Sequence, residues 1–176
     1  MGQMLMVLGA LMLLSMVSLS INSMFIGKTT TMLDAEANLN AISLAQTMID
    51  EIMVKSYDAS TVSAKIYDPT SFTGAGSLGA SGTEYSSVPQ PDTASPFRSV
   101  KYFNDVDDYH LYRREPTTPR LGKFYIKDTV YYVGESNPDI KATTQTFFKK
   151  VIVTVNHPNM LQPLQLSDVV VYRRYF

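Results

Sequence analysis

MGQMLMVLGALMLLSMVSLSINSMFIGK, residues 1–28, reaches its last position before the first charged side chain, Lys28. All of the 15 Lys+Arg and 16 Asp+Glu lie from there onward, while Met1, Met4, Met6, Met12, Met16, Met24 and Met32 place most of the chain's 10 Met at its start. At a rise of about 1.5 Å per residue, a helix over this stretch covers roughly 40 Å, more than the ~30 Å hydrocarbon core of a bilayer. The stretch therefore predicts a membrane-spanning helix. No Lys or Arg precedes the apolar run and no A-x-A site follows it, which argues against a cleaved secretory signal. A buried core helix would be shorter and one-sided, whereas residues 1–14 are apolar nearly all round. Ser15, Ser18, Ser20, Asn22 and Ser23 interrupt the later part; with Gly9 and Ala10 they favour close packing against other helices.

The pattern then changes without a break. MLDAEANLNAISLAQTMIDEIMVKSYD, residues 32–58, has no Gly or Pro and is rich in good helix formers. Leu33, Ala37, Ala41, Leu44, Met48 and Ile52 follow steps of three and four, so they form one stripe for packing the helix on the head. Leu39, Ile42, Ala45, Ile49 and Met53 are expected to widen it. Residues 1–55 thus read as one helix, hydrophobic over 1–27 and amphipathic over 28–55, with Gly27 and Thr29 to Thr31 as the place where it could divide.

Residues 56–176 read as a strand-rich head. From Pro69 to Pro96, Ser, Thr, Gly and Pro make up 18 of 28 residues, a loop by composition whose hydroxyls could carry sugars. Gly74, Gly76 and Gly79 spell G-x-G-x-x-G, but no strand pattern precedes them and Pro89, Pro91 and Pro96 follow, so a dinucleotide site is excluded. Beyond the loop the period is two: 121–133, 145–155 and 167–176 are rich in β-branched and aromatic residues between turn signals. Both faces of the last two are largely apolar, which suggests that one meets the helix and the other a neighbour. The fold class is α+β, a long hydrophobic-to-amphipathic helix packed against a C-terminal antiparallel sheet.

A net charge of -1 and a pI near 6.1 give no footprint for nucleic acid, and the absence of Cys removes disulfides and thiolate chemistry. Neither His110 nor His157 belongs to a catalytic motif; His157, in Asn-His-Pro, suits a turn cap. No enzyme is expected. Asp105, Asp107 and Asp108 cluster with Asn104 as oxygen ligands that would suit Ca²⁺, though without the glycine and distal glutamate of an EF-hand. No other cofactor is expected. Arg113 with Arg114 and Arg173 with Arg174 read as surface or inter-subunit pairing residues.

The order of parts resembles that of type IV pilins and of the pseudopilins of type II secretion. LAQTMIDEI, residues 44–52, is similar to their segment where helix meets head; FNDVDDYH, 103–110, to an acidic-aromatic stretch of some members; FKKVIVTV, 148–155, to their penultimate strand. The resemblance implies a filament subunit, held in the inner membrane before assembly and then exported to the cell surface as many identical copies by an assembly machinery. Met1, Gln3, Leu5, Leu8, Leu11, Met12, Leu14, Met16, Leu19, Met24 and Phe25 would form the assembly interface. Leu5 stands where members usually carry a glutamate that neutralises a neighbour's terminal amine. The alternatives are a minor pseudopilin and a single-pass anchored binding module.

Overall fold

The computed structural model describes residues 2–84 and 91–173. Its first element is a single helix, α1, Gly2–Met53, 52 residues long. That is about 78 Å at the usual rise. The possible division at Gly27 does not occur. Thr29 Oγ1 donates to Phe25 O, and Thr30 and Thr31 Oγ1 both donate to Gly27 O, each at 2.9 Å. The β-branched run therefore satisfies its own hydroxyls on the helix backbone and leaves the ladder intact.

The chain after α1 forms a short helix α2, Arg98–Tyr102, and six strands: β1 Arg113–Arg114, β2 Thr117–Thr118, β3 Gly122–Lys123, β4 Tyr125–Tyr132, β5 Phe148–Asn156 and β6 Leu164–Val171. Four make an antiparallel sheet in the order β1-β4-β5-β6, and β2 with β3 makes a separate ribbon. The expected strand 121–133 is thus divided. Phe124 is fully buried and gives its N–H to Pro116 O, which takes it out of the ladder between β3 and β4. The last strand starts right after Pro163, earlier than expected, and residues 174–176 of the expected range lie outside the described residues.

The core lies between α1 and the sheet. Ala37, Ala41, Ala45, Met48, Ile49 and Ile52 meet Ile126, Val130, Val151, Val153 and Val155. The period of two appears as strict alternation in β5, where Lys149, Val151, Val153 and Val155 are buried and Phe148, Lys150, Ile152 and Thr154 only half so. The β6 edge is less closed: Leu164, Leu166 and Val170 pack on the core, and Asp168 is exposed. A second, aromatic cluster of Tyr57, Phe72, Tyr132, Phe147 and Tyr172 closes the other end, with the rings of Tyr57, Phe72, Phe147 and Tyr172 in contact at centroid distances from 5.0 to 6.1 Å.

The Ser/Thr/Gly/Pro-rich loop 69–96 is tied down at both ends, with residues 85–90 outside the described ones. Phe72 is buried in the aromatic cluster. Asp92 is buried too, accepting from Arg98 N at 2.5 Å and Tyr112 Oη at 2.7 Å. Composition alone could not show this, because the few residues that hold the loop are diluted by many that do not.

Candidate assembly surface and its anchorage

Over its first half α1 touches nothing. Leu5, Leu8, Leu11, Met12, Leu14, Met16, Leu19, Met24 and Phe25 are between 57% and 71% exposed, and Gln3 is exposed as well. Met1 lies outside the described residues. Ser15 Oγ donates to Met12 O at 2.8 Å and Ser23 Oγ to Ser20 O at 2.9 Å. These hydroxyls need no water, so the surface they interrupt can still be buried in lipid or protein. The helix is long and apolar enough to cross a membrane.

Past Lys28 the helix is anchored on one face. Ala37, Ala41, Met48 and Ile52 are fully buried as the stripe requires, Leu44 packs partly, and Leu33 is half-buried. Leu39, Ile42 and Met53 do not widen the stripe. They are 70%, 48% and 40% exposed. At 100° per residue they fall, with Met32 and Ala35, on a second seam roughly 130° round from the buried one. Ala45 and Ile49 take the inner places instead, because three stacked alanines let the helix backbone come close to the sheet.

A polar network fixes the end of this contact. Glu51 on α1 receives two hydrogen bonds from Arg114 Nη2, at 2.8 and 2.9 Å, and one from Tyr109 Oη at 2.9 Å; Ser99 Oγ donates to it as well. Burial alone pushes the Glu51 carboxyl up, but its hydrogen bonds with Arg114 and Ser99, the Arg114 charge and the Tyr109 hydroxyl together hold it below its ordinary range. Arg114 also lies over the Phe97 ring, 4.3 Å from its centroid. The expected surface role of Arg114 is therefore corrected. It is buried and paired within the chain, while Arg113 beside it is exposed and Arg174 lies outside the described residues. The alternation of a strand edge places one arginine in and one out, a difference that reading them as a pair concealed.

A second polar centre sits under the acidic turn. Asp105 Oδ1 accepts from the backbone N–H groups of Asp107 and Asp108, at 3.0 and 3.2 Å. Asp108 Oδ2 accepts from those of Asn104 and Asp105, at 2.9 and 3.3 Å. Asp107 Oδ1 accepts from Lys149 Nζ at 2.6 Å. Asp105, Asp107 and Asp108 are the residues expected as oxygen ligands for Ca²⁺. Their oxygens turn inward to amides and a lysine, and among the described residues no group of His, Asp or Glu is arranged to hold a metal ion. Burial, followed by the charges of Asp107 and Asp108, pushes the Asp105 carboxyl up to about 9. Burial raises Asp108 to about 6 against the lowering effect of its two N–H donors. Lys149 was legible as part of a strand but not as a site. The signal was its phase, since it falls in step with Val151, Val153 and Val155 on the buried face.

Both histidines have local partners. His157 Nδ1 accepts from Asn159 N at 3.1 Å, the cap its turn suggested, so Nε2 carries the hydrogen toward Leu121 O at 2.9 Å. His110 Nδ1 accepts from Val130 N at 3.2 Å. On the outer face of the sheet Arg113, Tyr125, Lys127, Thr154 and Pro163 line an open cavity of about 410 Å³. Compared with known proteins, the chain matches no family model, no curated protein and no solved structure.

Proposed function

We propose that this chain is the structural subunit of a pilus-like filament, held in a membrane by α1 and then polymerised through it into a fibre at the cell surface. The observation that carries the reading is one unbroken helix that is bare and apolar over its first half, yet rigidly docked to a head over its second. A lone anchor needs only about 20 apolar residues. Here the exposed apolar seam of Met32, Leu39 and Ile42 continues beyond that length on the side away from the head. In the fibre, neighbouring copies of α1 replace lipid around it, and dispersion among Met and Leu holds the polymer without disulfides. No step in this role is catalytic.

Leu13→Lys tests the reading, since a charge at the middle of such a helix costs about 2.5–3.5 kcal/mol in lipid and has no counter-ion in a Met/Leu core. Electron microscopy of sheared surface fractions should show fibres of the unaltered chain, identified by mass spectrometry, and none of the variant. Normal fibres from Leu13→Lys would sink the proposal. The outer-face cavity favours one other reading, a single-pass anchored binding module with its ligand between Tyr125, Arg113 and Lys127. That reading requires a monomer in detergent and no fibre under any condition.

A further inference from the structure

Lys149 is 0% exposed, an unusual place for an ammonium group. Its Nζ lies 2.6 Å from Asp107 Oδ1, 2.6 Å from Tyr57 O and 3.3 Å from Asp58 Oδ2. The rings of Tyr57 and Tyr132 wall it in, with centroids 4.4 and 5.2 Å from Nζ. Asp58, Asp105 and Asp107 are each at most 3% exposed. Water does not reach the pair.

The two aspartates facing Nζ differ. Asp58 is already engaged, accepting from Ser60 N, Ser60 Oγ and Thr73 N at 3.0, 2.7 and 2.8 Å. Among the described hydrogen bonds the Asp107 carboxyl accepts from Lys149 alone, and Asp105, whose Oδ1 takes the Asp107 N–H at 3.0 Å, is buried beside it. A contact of 2.6 Å to Oδ1 leaves Nζ about 3–3.5 Å from Cγ, the separation of a near-attack geometry.

We propose that Lys149 and Asp107 condense into an intramolecular isopeptide bond. The Lys149 ammonium gives a proton to the Asp105–Asp107 carboxyl pair, and the freed lone pair on Nζ attacks Cγ of Asp107. In the tetrahedral intermediate Asp105 hands a proton to the departing hydroxyl and takes one back from nitrogen. The C–N bond forms, the C–O bond breaks, and one water leaves. An ammonium and a carboxylate are consumed, an amide and water are produced, and nothing is oxidised or reduced. The remaining N–H keeps the Tyr57 carbonyl as its acceptor. The drive is the dryness of the site, since two buried ions carry a desolvation penalty that a neutral amide does not. The Lys150–Asp139 pair, also at 2.6 Å, makes the contrast: Asp139 is 82% exposed, so water keeps those ions apart from chemistry.

The bond would tie the middle of the sheet to the acidic turn below α1, a covalent brace in a chain without Cys. It stands on the head alone and is independent of whether α1 enters a filament. The test is mass spectrometry of the full-length protein, purified in detergent and then denatured. The unaltered chain should be lighter by one water molecule than its Lys149→Arg variant, after correction for the substitution. A tryptic digest should yield a branched peptide joining residues 102–113 to residues 142–150, because trypsin does not cut after an acylated Lys149. Asp105→Asn, which keeps the neighbouring charges but removes the proton carrier, should leave most molecules unlinked. An unaltered chain of full mass, with Lys149 free in a linear peptide, overturns the proposal even if neither variant folds. A branch point at Asp58 overturns it equally.

Discussion

Asp128→Leu should make the head more stable, and increasingly so as the pH rises. Asp128 lies on the helix-facing side of β4 opposite Val153, is 0% exposed, and neither of its carboxyl oxygens has a hydrogen-bond partner. Removing an unsatisfied buried polar group gains about 1–3 kcal/mol. The apolar area of leucine adds roughly 1.5–3 kcal/mol and the extra volume in a packed core costs about 1–3 kcal/mol. The balance favours the variant by about 1–3 kcal/mol near pH 5. Burial holds the folded-state carboxyl well above its ordinary range, protonated where the unfolded chain has already released its proton. The stability this proton confers is therefore complete below about pH 4 and is lost, at about 1.4 kcal/mol per pH unit, as the pH rises toward the raised value. Leucine has no proton to lose. Between pH 5 and pH 7 the gap between variant and unaltered chain should widen by up to about 2.7 kcal/mol. The contributions of Asp105 and Asp108, raised to about 9 and about 6, are common to both proteins and cancel. Urea unfolding of the full chain in non-ionic detergent, followed by tyrosine near-UV circular dichroism at both pH values, measures the gap. A pH-independent difference, or a variant less stable at both, would refute the reasoning.

Arg114→Met should cost about 3–5 kcal/mol by stranding the Glu51 carboxylate, and Glu51→Met in the same chain should recover most of it, as read by the same unfolding assay. A double variant as weak as the single one would show that Arg114 acts through packing on Phe97 and Tyr112 instead. Ala41→Leu, at a position with no exposed surface, should cost about 1–3 kcal/mol by driving α1 off the sheet. Leu39→Asp, 70% exposed, should shift head stability by less than about 0.5 kcal/mol yet abolish fibres in electron microscopy; intact fibres would detach the outer seam from assembly.

The helix and the sheet were legible because each is a periodic object. An uncharged run and a 3.6-residue stripe gave α1 almost to its last residue, and alternation within 145–155 gave the strand that the structure starts at Phe148. What escaped depends on contacts between residues far apart in sequence. Asp92 reads as one loop residue among many, but its carboxylate meets Tyr112 Oη at 2.7 Å across the head. Glu51 went unremarked in the helix pattern, and only the fold brings Arg114 beneath it. The acidic turn suggested a cation from outside, and the fold supplied one from inside, Lys149, through a strand whose phase alone betrayed it.

The choice of buried face over residues 37–45 of α1 is the remaining point that hydrophobicity by itself does not explain. A free helix maximising buried apolar area would turn Leu39 and Ile42 toward the sheet and leave Ala37, Ala41 and Ala45 outside, since each leucine or isoleucine contributes about 1.5–3 kcal/mol on burial and an alanine far less. The chain does the reverse. Two constraints select it: the alanines allow the backbone to approach the sheet closely, and only this rotation brings Glu51 over Arg114. A buried charge pair is a weak source of stability but a strict one of geometry, because any other rotation would strand the Arg114 charge. The result is a helix in which Leu39 and Ile42 continue the outward apolar surface of the bare segment, while Met48, Ile49 and Ile52 face the sheet. In a monomer that arrangement forgoes the burial of Leu39 and Ile42. In the proposed filament a neighbouring copy of α1 would cover the seam, which is why the Leu39→Asp experiment bears on assembly more directly than any substitution within the head.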